Sequence, residues 1–227
     1  MRTPAPRPVR ISLEDVSIYA DLLRPDNALG LVVFAHGSGS SRHSARNRYV
    51  AEELSRHGLV TLLVDLLTPD EAAADELTAE YRFDISRLGR RVTGVIDWLA
   101  AQPELRDLPV GLFGASTGAA AALIGAAERP TLVQAVVSRG GRPDLAGDAL
   151  TNVAAPTLLL VGDRDHGVIV LNKYAARRLS AHVEIQLIPG ATHLFEEPGT
   201  LEQVAHRAAG WFEQFLPVHE PAAMPSA

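Results

Sequence analysis

The sequence predicts one doubly wound α/β domain, a mostly parallel sheet with helices on both faces. Three observations predict it. Short, almost unbroken apolar runs recur along the chain, segments of helical period separate them, and several runs end in glycine followed by polar residues. Continuous apolar runs suit parallel strands that are covered on both faces.

Taken in order, an antiparallel pair is expected at 9–13 and 17–23, ahead of the parallel part. Strands are then expected at 31–35, 59–64, 109–113, 132–137, 157–161 and 183–188, with helices at 46–56, 84–101, 119–128, 171–179 and 201–215. This alternation gathers ligands at the carboxyl ends of the strands. The acidic stretch 69–80 reads as an exposed loop or short helix beside the mouth of the site, with no catalytic role. Residues 1–8 read as a flexible N-terminus, 9–217 as the domain, and 218–227 as a disordered, low-complexity tail.

Composition narrows the chemistry. The 227 residues are 47% hydrophobic and 21% charged, as expected of a chain that folds around a core. A net charge of -6 argues against a surface that tracks nucleic-acid phosphates. The absence of cysteine removes disulfides, thiolate metal sites, iron–sulfur clusters and a thiol nucleophile together. No apolar run approaches the ~18 residues of a membrane span, and the first ten residues lack a secretory apolar block. The expectation is a cytoplasmic protein whose partner is a small molecule, without nucleic acid or membrane.

The stretch FGASTGAAAAL (113–123) joins a strand, a tight turn and a helix around G-x-S-x-G. A serine in such a turn adopts a strained backbone, and Gly114 and Gly118 allow the strand and helix to approach closely enough to permit it. Ser116 is therefore the candidate nucleophile, at a helix start whose free N–H groups face developing negative charge. A helix-capping serine is the plainer alternative. Earlier, FAHGSGSSRHS (34–44) is a strand followed by a glycine-bearing loop. The backbone amides of Ser38 and Thr117 are the candidate oxyanion donors. His36 reads as shaping that loop, since a metal role with His43 would need a third ligand.

The strand at 157–161 ends in Gly162, Asp163, Arg164 and Asp165, and the last strand ends in Pro189, Gly190, Ala191, Thr192 and His193. Asp165 is the candidate orienting acid because it lies past the turn, whereas Asp163 reads as a turn cap. His193 is the candidate base. His57, His166, His182, His206 and His219 read as surface or satisfied core residues. Nucleophile, acid and base thus follow three different strands in the order stated for α/β-hydrolases.

On these motifs, with SRGGRPDLAG (138–147) and PGATHLFEEPG (189–199), the chain resembles the α/β-hydrolase superfamily, and within it the small dienelactone-hydrolase-like serine hydrolases. Domains of this kind are sometimes joined to phosphoribosyltransferases, for which this length has no room. True dienelactone hydrolases use a cysteine nucleophile where this chain has Ser116, so their substrate does not carry over. The expected activity is hydrolysis of small acyl esters, thioesters or lactones through an acyl-enzyme, without metal or organic cofactor. Amide or carbon–carbon cleavage by the same triad, or a non-catalytic binding role, are the alternatives. The 17 residues at 139–155 are too few for a helical lid domain, so an open, shallow site is expected. Arg139 and Arg142 within them are candidates for holding a substrate carboxylate or phosphate, with salt bridges to Asp144 or the acidic stretch as the plainer alternative.

Overall fold

The computed structural model describes residues 5–216. Eight strands form one sheet: β1 (Arg7–Ser12), β2 (Ser17–Leu23), β3 (Gly30–Ala35), β4 (Leu59–Val64), β5 (Val110–Ala115), β6 (Val133–Arg139), β7 (Thr157–Gly162) and β8 (Val183–Ile188). Their spatial order is β1-β2-β4-β3-β5-β6-β7-β8. The β1–β2 and β2–β4 pairings are antiparallel, and every later pairing is parallel. β1 begins at Arg7, which pairs with Leu22, so residues 7 and 8 belong to the sheet rather than to a flexible lead. Readings made for residues 1–4 and 217–227 lie outside the described residues.

Six α-helices accompany the sheet: α1 (Ala45–Arg56), α2 (Pro69–Thr78), α3 (Ile85–Ala100), α4 (Thr117–Glu128), α5 (His166–Ala176) and α6 (Thr200–Phe215), with a 3-10 segment at Pro143–Asn152. Successive strand residues feed opposite cores, as a pleat of period two requires. In β3, Leu31, Val33 and Ala35 pack toward α3 and α4. Val32 and Phe34 pack toward α1 and α6, where Phe34 stacks on Phe113 with centroids 4.7 Å apart. Each such large side chain contributes about 1.5–3 kcal/mol on burial.

Local signals start the helices. Ser44 accepts a hydrogen bond from Asn47 N–H to cap α1, and Asp84 accepts from Arg87 N–H to cap α3. The apolar face of α3 then runs through Leu88, Val92, Val95, Ile96 and Leu99, all buried. The acidic stretch becomes α2, started by a capping box between Thr68 and Glu71 with Pro69 in its first turn. The β6–β7 connection packs its 3-10 segment against α4 and α5 and bends at Gly147, where φ is 56°. Among the described residues, no helix is long and apolar enough to cross a membrane.

Candidate active site

Ser116 sits between β5 and α4 with φ 49° and ψ -122°, a conformation that costs a non-glycine residue about 1–3 kcal/mol. The two flanking glycines make it attainable. A Cβ on Gly114 would lie 2.4 Å from the Ala119 Cα, and one on Gly118 would lie 2.3 Å from the Ala35 carbonyl oxygen. Any side chain at either position would push α4 off the sheet. Ser116 is half-buried and makes no capping hydrogen bond, which separates it from the helix-cap alternative.

The β3–α1 loop lies against this turn, since a Cβ on Gly37 would be 3.0 Å from the Ser116 Cβ. Among the described residues, the backbone N–H groups of Ser38 and Thr117 donate to no other residue. His36 anchors the start of the loop. It is buried, its Nδ1–H donates to the Gly37 carbonyl at 2.8 Å, and its Nε2 accepts from Leu66 N–H at 3.0 Å. Burial lowers its pKa, outweighing the opposing Gly37 hydrogen bond and the Asp65 charge. With both ring nitrogens engaged, His36 holds β3 and β4 ends together as a neutral imidazole.

The loops after β7 and β8 are joined by several bonds. Arg164 N–H donates to the Ala191 carbonyl, Asp163 N–H donates to the Ile188 carbonyl, and the Asp163 carboxylate accepts from Gly190 N–H at 2.8 Å. Asp163 therefore caps the turn. Asp165, one turn further on, accepts from His193 Nδ1–H at 2.6 Å, which leaves the Nε2 lone pair on the far side of the ring. The Asp165 carboxylate is 16% exposed and the imidazole 40%, so the pair is screened from beneath and open above.

One segment brings the two halves together. Ser116 N–H donates to the Arg139 carbonyl, Arg142 N–H donates to the Ser116 carbonyl, and Gly140 N–H donates to Leu160. Gly140, at φ 50°, lies so close to the histidine loop that a Cβ there would be 3.0 Å from the His193 carbonyl oxygen and 3.7 Å from its Nδ1. Ser116 and His193 thus flank the same four residues. The structure holds no hydrogen bond between the serine hydroxyl and the imidazole; such contacts are often loose before substrate binds and tighten in the complex.

The two candidate anion-binding arginines part company. Arg142 makes a bidentate pair with Asp144, both bonds 2.9 Å, the plainer of the two arrangements considered for it. Arg139 turns inward and is buried, donating to Asn47 Oδ1 at 3.2 Å and lying 5.8 Å from the centre of the Phe195 ring. They form no joint clamp. Sequence reasoning passed over Asn47, Phe195 and Asn172, whose amide donates to the Gly141 carbonyl at 3.0 Å. Asn47 and Asn172 each carry a visible signal, as a lone amide on the inner face of a helix.

A cleft of about 560 Å³ opens beside the β3–α1 loop, bounded by Ser38, Ser40, His43, Asp75, Arg82 and Leu88. Neither this cleft nor a larger groove of about 820 Å³ between the β1–β2 turn and α3 is lined by Ser116, Asp165 or His193.

A strained serine after β5, and an acid after β7 bonded to a histidine after β8, fit the α/β-hydrolase fold. The chain belongs to the dienelactone hydrolase family, whose profile matches residues 18–218. It is similar to a dienelactone hydrolase from Anabaena variabilis, with 53% identity and a TM-score of 0.93 over 95% of this chain and all of that one. Est1E from Butyrivibrio proteoclasticus shares the fold, with 16% identity and a TM-score of 0.75 over 91% of this chain and 98% of that one. A putative phosphoribosyl transferase of Mycobacterium tuberculosis is 56% identical over 208 residues, 92% of this chain. The chain spans 46% of that relative's length.

Proposed function

We propose that this hydrolase is a serine esterase acting on small acyl esters, thioesters or lactones through Ser116, His193 and Asp165. The observation that carries the reading is the 2.6 Å bond from His193 Nδ1 to Asp165, which leaves the lone pair of Nε2 free to accept a proton. As Ser116 Oγ attacks the acyl carbonyl carbon, Nε2 takes the hydroxyl proton and Asp165 stabilises the imidazolium. The carbonyl oxygen becomes an oxyanion bonded by the N–H groups of Ser38 and Thr117, each worth about 3 kcal/mol to the transition state. The imidazolium then protonates the departing alcohol or thiol. Water, deprotonated by the same Nε2, cleaves the acyl-enzyme and returns Ser116.

A fluorophosphonate probe tests the catalytic reading. Wild type is expected to be labelled on Ser116, with labelling abolished in Ser116→Ala and reduced to background in His193→Ala. An unlabelled wild type that also leaves short esters, thioesters and lactones intact would sink the proposal.

A further inference from the structure

Arg139 is a buried cation without an acid of its own. Its guanidinium bonds to the Asn47 amide oxygen and to no carboxylate among the described residues. Its Nε–H is buried with no partner, as is that of Arg46. Burial, and the like charge of Arg46, push the Arg139 pKa down to about 10. A guanidinium held this way burdens the fold, because a buried charge is stabilising only when paired and fully hydrogen-bonded. An apolar side chain of similar length would fill the space at no such cost.

What the guanidinium touches gives it a purpose. At one end is Asn47, in the first turn of α1, the helix that follows the loop bearing Ser38. At the other is the ring of Phe195, two residues past His193. Phe195 has φ 55°, rare for a bulky residue and sustained only by surrounding packing. Its ring also abuts the Gly140 backbone. The backbone carbonyl of Arg139 meanwhile accepts from Ser116 N–H. Above it, Arg46 and Glu196 link the same two elements by a more exposed ion pair of 3.2 Å, a weak type of tie.

We propose that Arg139 is a positioning residue that spans from Asn47 to Phe195 and fixes the separation between the oxyanion loop and the His193 loop around Ser116. This rests on the esterase reading above. A planar fork suits the task, since it can donate to an amide oxygen along its edge while lying over an aromatic ring, which an ammonium does poorly.

The test compares kcat, KM and Tm on a short ester. In Arg139→Met, kcat is expected to fall by roughly 10- to 100-fold, the scale of a small misplacement of catalytic groups, with KM changed less than about threefold. Tm is expected to stay level or rise, because an incompletely paired buried charge has gone. Arg139→Lys, which keeps the charge and loses the fork, is expected to remain impaired. Should Arg139→Met fail to fold, Asn47→Ala and Phe195→Leu each remove one end of the span and are expected to lower kcat with KM unchanged. Wild-type kcat in Arg139→Met, or in both end variants, overturns the proposal, as does full recovery in Arg139→Lys. A wild-type enzyme that is neither labelled nor active on short esters, thioesters and lactones would instead defeat the esterase reading.

Discussion

Two histidines that follow strands four places apart in the sheet have opposite environments. His36, after β3, is buried, has both ring nitrogens bonded to backbone groups, and is kept neutral by desolvation. His193, after β8, is 40% exposed and gives one nitrogen to a carboxylate while the other stays free. Both follow a strand and both adjoin glycine-bearing turns. What distinguishes them is the number of ring nitrogens left over once the fold has been satisfied.

The acid beside His193 sharpens this contrast most. Asp165→Asn is expected to lower kcat/KM by about 10⁴-fold, since an amide can no longer hold the required tautomer or balance the imidazolium. Asp163→Asn should cost about tenfold or less, because its amide oxygen still accepts from Gly190 N–H. Equal losses in steady-state ester hydrolysis would erase the distinction between the two acids.

A smaller effect is expected at the buried histidine, and on stability rather than rate. His36→Leu leaves the Gly37 carbonyl and Leu66 N–H without partners, at about 1–3 kcal/mol for each group. Urea titration measures the loss. A variant that keeps its full unfolding free energy would show that the two bonds contribute nothing.

The smallest effect is in pH dependence. Because the folded pKa of His36 lies below its unfolded value near 6.5, the unfolded chain binds more protons. Stability from this group is then fully present above about pH 6.5 and declines as pH falls toward the folded pKa. Tm measured from pH 7.5 downward should fall more steeply in wild type than in His36→Gln. Parallel curves would assign the acid sensitivity to other groups.

Much of this was legible in the sequence, and the exceptions have physical causes. Continuous apolar runs located the parallel strands to within one or two residues, and most clearly β3, β4, β5 and β7, where burial on both faces leaves no polar alternation to blur them. Helix α2 was only half-read: its residues, rich in aspartate, glutamate and alanine, lack an apolar stripe, although Thr68, Pro69 and Glu71 mark its start. Helix α5 begins at His166 rather than 171, with Gly167 in its first turn. That Ser116, Asp165 and His193 follow three different strands was legible from the apolar runs that precede them. The inward turn of Arg139 was not, because arginine beside two glycines reads as surface. Its phase in β6, shared with Ala135 and Val137, was the available clue.

Strands β5 to β8 lie next to one another in chain order, so Ser116, Asp165 and His193 follow strands that lie successively further from the centre of the sheet. Under the esterase reading, hydrolytic power requires the edge strand β8 to be docked, because His193 follows it. Regain of probe labelling on refolding is accordingly a readout of the docking of that edge.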